Sequence, residues 1–338
     1  MSRVEVFLDE TPGETRGMIA RDGRFERLII QRDDDSPVLR LGARSVGRIV
    51  RVESGLKGAF VDLGTAAPVF LRGAAPPPRG SLVEVQVTAE PRDAKGAAVR
   101  LIGPATGELR LTQAGPGVRD ILATLVPGEE PQDGAAAIRA GLAAEEEALS
   151  GSLAVESLGL DVAIERTRAL VAVDLDLAAG GATGRTARDR ANGRGLQEAA
   201  RSIRLREWGG LVAIDLIGTG HNGEAIIAAA RRAFGEAAVF GPVNRFGVLM
   251  LSLPWGRTPV ETLLRGADAG ARLRRVAQTA VRSLRLALLS DRSIPTMTLS
   301  CGPGVGALAT PWVEALGPRA RLAISPSGGT DAYEIWTR

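Results

Sequence analysis

Leu170-Val171-Ala172-Val173-Asp174 and Leu211-Val212-Ala213-Ile214-Asp215 are two apolar runs that end in the same acidic step. Each is short and rich in β-branched residues, a pattern that predicts a strand buried on both faces. Each places a carboxylate at the end of its strand. An ionised carboxylate taken out of water is costly unless something offsets its charge. Two such strands lying side by side would bring two mutually repelling aspartates together. A divalent cation such as Mg²⁺, which takes oxygen ligands, removes that repulsion. The same two residues also read as turn or cap aspartates, which are common at strand ends.

Between the two runs the sequence predicts a Gly/Arg/Ala loop over 178–194, carrying Arg185, Arg188, Arg190 and Arg194. It reads as a surface loop or as a loop suited to an anionic substrate. A helix over 195–207 follows, with Leu196, Ala199, Ala200 and Ile203 on one face at helical spacing. A second helix is expected over 223–234 and a strand near 237–240. Gly218-Thr219-Gly220-His221-Asn222-Gly223 matches a GxGxxG pattern between strand and helix. The next strand, Ala237-Ala238-Val239-Phe240-Gly241-Pro242, lacks the terminal acid that a dinucleotide fold uses to hold a ribose. His221 is then an exposed loop residue.

Upstream, residues 3–8 and 26–31 read as strands joined by a Gly-containing turn. Five further strands are expected at 46–53, 58–64, 68–73, 81–90 and 96–102, punctuated by Gly and Pro. Five short strands in so few residues predict a small closed barrel of the OB type. Phe60 and Phe70 fall on its second and third strands, with Lys57, Arg48, Arg51, Arg72, Lys95 and Arg100 near them in sequence. Such rings stack on bases when exposed, and the cations then follow the phosphates. The rings serve equally as barrel core. A helix from Ala135 to Leu149 carries Glu145-Glu146-Glu147 as a solvated face. The tail from Thr258 reads as a helix (259–290), a strand (295–300), then helix, strand and strand.

The chain has 338 residues, 45% of them hydrophobic, enough for two or more domains. A single cysteine, Cys301, excludes a disulfide framework and a cysteine zinc cluster. A single histidine, His221, excludes a histidine-based metal site and a Ser-His triad with a spare histidine elsewhere. Carboxylate metal chemistry is what is left. Met1 to Gly17 has no apolar core of a signal peptide, and no run approaches a membrane span, so a cytoplasmic protein is expected. Net charge is +3, but Lys57 and Lys95 are the only lysines. The remaining cations are arginines, whose planar fork suits phosphate. The bias toward arginine fits a nucleic-acid partner and equally a GC-rich genome.

Several segments together resemble the ribonuclease E/G family. Gly47-Arg48-Ile49-Val50-Arg51-Val52, Gly58-Ala59-Phe60-Val61-Asp62-Leu63-Gly64 and Phe70-Leu71 look like its RNA-binding barrel. Gly13-Glu14-Thr15-Arg16 resembles its SETR-type turn and Lys95-Gly96-Ala97 its NKGA-type turn. Ala172-Val173-Asp174 and Ala213-Ile214-Asp215 fall where that family has two metal-binding aspartates. Ala200-Arg201-Ser202-Ile203-Arg204-Leu205-Arg206-Glu207-Trp208-Gly209-Gly210 is close to its ARQLRLRxxGG run. Arg245-Phe246-Gly247 and Ala332-Tyr333-Glu334-Ile335 also fit.

The resemblance implies an α+β chain: a small OB-fold barrel near the N-terminus, then a mixed α/β DNase I-like catalytic domain and a small C-terminal α+β domain. Domains are expected at 1–40 (strands packing on a reduced RNase H-like region), 41–104 (barrel), 105–157 (helical connector), 158–257 (catalytic) and 258–338. It implies an Mg²⁺-dependent endoribonuclease acting on single-stranded RNA, leaving 5′-phosphate and 3′-hydroxyl ends. Asp174 and Asp215 would be catalytic metal ligands, with Asp176, where the family has asparagine, as a third ligand or a modest electrostatic change. Phe60, Phe70, Lys95, Lys57, Arg48, Arg201 and Arg204 would contact RNA. Departures are also plain. Lys95 and Asp174 are 79 positions apart (174 − 95), too few for the family's 5′-monophosphate pocket, so no 5′-end sensing is expected. The zinc-linking cysteine pair is missing, so a homo-oligomer would form without it. Gly218 replaces a further acid, and Ser252-Leu253-Pro254-Trp255 replaces a basic run. A non-catalytic RNA-binding protein that keeps the fold is the alternative.

Overall fold

The computed structural model describes residues 3–177, 184–266, 268–326 and 332–337. It divides into two compact units, Met1–Glu145 with Arg257–Arg338, and Glu146–Gly256.

The first unit opens with an antiparallel meander of β1 (Val4–Thr11), β2 (Glu14–Arg21) and β3 (Arg24–Arg32). The sequence reading had only the two outer strands. It missed β2 because Glu14 and Arg16 sit inside it. Both are buried, and Arg16 Nε donates to Glu14 Oε1 at 2.7 Å, so the charges satisfy each other within the strand. The barrel follows as β4 (Arg44–Glu53), β5 (Gly58–Asp62), β6 (Val69–Arg72), β7 (Leu82–Ala89) and β8 (Ala98–Pro104). β4 pairs with both β5 and β7, β5 with β6, β6 with β8 in parallel, and β8 with β7. The ring is closed, an OB-like five-strand barrel. Alternate residues Ala59, Val61, Val69, Leu71, Val85 and Val99 fill it. At Gly47 a Cβ would fall 2.5 Å from Leu63 and 2.8 Å from the Asp62 carbonyl, so only glycine fits there. An unforeseen strand, β9 (Arg110–Gln113), extends the sheet on β4. Two helices follow, α1 (Val118–Leu125), also unforeseen, and α2 (Gly134–Leu149).

The second unit is one six-stranded sheet. Its elements are β10 (Ser152–Val155), β11 (Leu160–Arg166), β12 (Val171–Leu177), α3 (Arg185–Leu205), β13 (Gly210–Asp215), α4 (Gly223–Phe234), β14 (Val239–Val243) and β15 (Val248–Leu253). The strand order is β10-β11-β12-β13-β15-β14. β12 and β13 are parallel and α3 connects them; the other neighbours are antiparallel. Val171, Val173, Leu175, Val212 and Ile214 pack with Leu196, Ala199 and Ile203 of α3 and Ile226 and Ala230 of α4. The intervening residues point the other way, and Leu211 is 42% exposed. The aspartate strands are thus buried on one face, not both. The expected loop over 178–194 is helix from Arg185 onward; residues 178–183 lie outside the described set. Gly195 weakens α3 by propensity but brings it close to the sheet, since a Cβ there would meet Leu175 Cδ1 at 2.6 Å.

The first unit resumes with α5 (Val260–Arg265), α6 (Ala269–Ser290), β16 (Met297–Cys301), α7 (Pro303–Ala315), β17 (Ala320–Ile324) and β18 (Tyr333–Thr337). The single helix expected over 259–290 is two, with Gly266 at positive φ after α5. β16 is central, parallel to β17 and antiparallel to β18. Buried Arg282 of α6 ties this segment to the N-terminal meander through Asp9 (2.7 Å) and Glu14 (3.1 Å). Glu145 pairs with Arg16 at 2.7 Å, so the acidic run on α2 is not simply a solvated face.

Candidate metal centre and nucleic-acid interface

The parallel register aligns Val171 with Val212, Ala172 with Ala213, Val173 with Ile214 and Asp174 with Asp215. Strands in such a pair lie about 4.8 Å apart, so the two carboxylates are immediate neighbours at the carboxyl end of the parallel ladder. Both point to the open face, because the valine and isoleucine positions between them face the helices. Among the described residues, neither carboxylate has a hydrogen-bond or ion-pair partner. Like charges directly opposite each other destabilise a sheet. Asp176, two residues on, shares that face, and Asp161 of β11 lies in register with it. All four aspartates are exposed. Two adjacent unpaired carboxylates fit Mg²⁺, which takes one or two protein carboxylates and fills its other positions with water and phosphate oxygens. Among the described residues no group of three acidic, histidine or cysteine side chains is placed to hold a metal. Asp176 Oδ1 accepts from the Leu177 amide at 2.8 Å.

The loop after Asp215 is fixed from α3. Buried Asn192 accepts from the Ile217 amide at 2.9 Å and donates to the Ile217 carbonyl at 3.3 Å. His221 Nε2 lies 2.8 Å from the Gly218 carbonyl and closes the loop; the histidine is half-buried, not a freely exposed loop residue. Gly218 and Gly220 both have positive φ. The GxGxxG pattern does not belong to a dinucleotide fold. After α4 the chain enters β14, which pairs antiparallel with β15 at the sheet edge and does not return parallel to β13. The hairpin that carries Arg245 and Phe246 ends at Val248, the register partner of Asp215. Phe246 is 67% exposed, with the Arg245 guanidinium 4.7 Å from its ring centre. An apolar ring in a Gly-containing hairpin is the sequence signal for this exposed aromatic, which was not among the expected RNA contacts.

On the barrel, Phe60 and Phe70 are cross-strand partners on the outer surface, since Ala59, Val61, Val69 and Leu71 hold the inner positions. Their rings meet edge to face at 5.3 Å, and the Arg51 guanidinium lies 4.3 Å from the Phe60 ring. Of the two readings for these rings, core packing is therefore excluded. Lys57 lies in the loop between β4 and β5 and Lys95 in the loop between β7 and β8; both are exposed, as is Arg48. These are the strands and loops with which OB folds hold oligonucleotides.

Arg201 and Arg204, expected to contact RNA, are both engaged by groups of the protein itself. Arg201 is 4% exposed and pairs with Glu147 at 2.5 Å and Glu198 at 2.8 Å. Burial disfavours its charge, but the two glutamates outweigh that and raise its pKa above the usual value. Arg204 is partly buried and donates to the Ala233 carbonyl at 2.8 Å. Both brace α3 within the second unit; Arg201 presents no open face to a phosphate, while Arg204 keeps part of its surface in solvent. The i,i+3 spacing of Glu198 and Arg201 was the sequence signal for this.

Comparison with known families gives a match over residues 141–238, to the model described as Ribonuclease E/G family. The matched stretch contains β10 to β13, α3, α4 and all four aspartates of the open face, and it excludes the barrel. No curated protein matches the chain.

Proposed function

Starting from membership of the ribonuclease E/G family, which the match over 141–238 supports, we propose that this chain is a divalent-metal-dependent endoribonuclease acting on single-stranded RNA. The observation that carries the reading is the in-register, unpartnered pair Asp174 and Asp215. We read the second unit as a DNase I-like catalytic domain. Asp174 and Asp215 would each give a carboxylate oxygen to one Mg²⁺. Bound there, the ion would polarise a phosphodiester and make its bound water a stronger nucleophile at neutral pH. The two strands fix the backbone positions of both aspartates side by side. Asn192 and His221 hold the adjoining loop. Phe60 and Phe70 offer a stacking surface, and Lys57, Lys95 and Arg48 follow the phosphates. No pocket for a 5′-monophosphate enters this reading.

The test is cleavage of an end-labelled single-stranded RNA by the full chain in Mg²⁺, beside Asp174→Asn and Asp215→Asn. Each substitution should lower the rate about 100-fold or more. Thermal unfolding should shift upward with Mg²⁺ in the parent and not in either variant. Cleavage that persists in both variants removes these carboxylates from the chemistry. The lack of a third ligand among the described residues favours a second reading, an RNA-binding protein without turnover. It calls for salt-sensitive RNA binding with no cleavage at any metal concentration.

A further inference from the structure

Three arginines in α3 are engaged: Arg194 with Glu198 at 2.8 Å, Arg201 with Glu147 and Glu198, and Arg204 with the Ala233 carbonyl. Arg188 is different. It sits near the amino end of the same helix, where a cation opposes the helix dipole, and no acidic residue lies in that first turn. It is half-buried, yet among the described residues its guanidinium has no hydrogen-bond or ion-pair partner. Residues 178–183, just before the helix, contain no acid. A partly desolvated cation without a counter-charge is a local choice that works against stability, and such conflicts gather at functional positions.

Its placement is specific. Arg188 is one helical turn before Asn192, so the two share a face of α3. Asn192 grips Ile217, and Arg188 lies over the next residue. A Cβ at Gly218 would come within 2.6 Å of Arg188 Nη1 and 3.3 Å of its Cδ. Gly218 has φ of +82°, a left-handed conformation that favours glycine there. The guanidinium is thereby laid against the loop three residues past Asp215 and held to it by α3.

We propose that Arg188 is a phosphate-contacting residue, taking an RNA phosphate neighbouring the one at the Asp174–Asp215 pair. This rests on the nuclease reading for its purpose but not for its measurement. The guanidinium offers a two-pronged contact that lysine cannot reproduce. It adds positive charge beside a strip of four aspartates that would otherwise repel the substrate.

The experiment measures binding of a labelled oligouridylate to the full chain carrying Asp174→Asn and Asp215→Asn, across a potassium chloride series, with and without Arg188→Ala. Loss of one single-strand phosphate contact should reduce the salt slope by about 0.7. Arg188→Lys should retain most of the slope, and Arg190→Ala should leave it intact. In the catalytically competent chain, Arg188→Ala should raise KM more than it lowers kcat, and added guanidinium should restore part of the loss. An unchanged slope in Arg188→Ala overturns the proposal whether or not the chain cleaves RNA. A reduced slope in a chain that never cleaves upholds the phosphate contact and rejects the nuclease reading.

Discussion

Replacing Glu14 by glutamine tests the charge network that joins the N-terminal meander to α6. Glu14 Oε1 accepts from Arg16 Nε (2.7 Å) and Arg282 Nη2 (3.1 Å), and its Oε2 from Arg32 Nε (3.2 Å). Burial alone would push this carboxyl upward; Arg16, Arg282 and Arg32 together reverse that and hold it at about 2, down from 4.5. A shift of that size corresponds to about 3 kcal/mol of folding stability. Because the folded value is depressed, the contribution is present above the unfolded value near 4.5. It is lost as pH falls toward 2. Glutamine also leaves Arg16 and Arg282 short of one counter-charge, and breaking a buried pair costs about 3–5 kcal/mol. At pH 7 the variant should therefore be less stable by roughly that amount. The gap should close steadily between pH 4.5 and pH 2, as Glu14 of the parent takes up its proton. Urea unfolding at a series of pH values gives the measurement. Trp312, which packs against Gly13 beside this network, supplies a fluorescence signal. A gap that stays constant from pH 7 to pH 3 would refute an ionised, depressed Glu14.

Two further outcomes follow from the surfaces described. Phe60→Ala and Phe70→Ala should each weaken single-stranded RNA binding by about 1–3 kcal/mol. Their combined effect should fall short of the sum, since the rings touch each other; unfolding should barely change, in contrast to Val61→Ala in the barrel core. Asn192→Ala should cost about 1–3 kcal/mol by stranding the Ile217 amide and carbonyl. It should also slow RNA cleavage although residue 192 reaches no substrate, and equal rates in variant and parent would show that the loop needs no bracing.

What was legible in the sequence was whatever depended on local alternation. Val171, Val173, Val212 and Ile214 marked two strands, and Leu196, Ala199 and Ile203 marked the face of α3 that packs on them. The helix expected over 223–234 is capped by Asn222, which accepts from the Ala225 amide. What was hidden depended on distant partners. Glu14 and Arg16 looked like turn residues until each other, Arg282 and Glu145 came into reach. The first ten residues of α3 looked like loop because Gly193 and Gly195 lower helix propensity, and packing on Leu175 overrides that. Arg201 looked like a surface cation until Glu147 arrived from another helix. Of the candidate site, the aspartate pair was visible as two similar runs. The contribution of Arg188 was not, because it depends on a helix reaching a glycine 30 residues away (218 − 188).

The side chains that hold the second unit together and the side chains proposed to do its chemistry are set by a single alignment of β12 against β13. Sliding one strand by a residue would turn its aspartate inward among Leu196, Ala199 and Ile203 and push a valine or isoleucine into water. Misassembly is thus penalised twice, by a stranded charge and by a lost greasy contact. A molecule that has folded at all has already brought its two acids level.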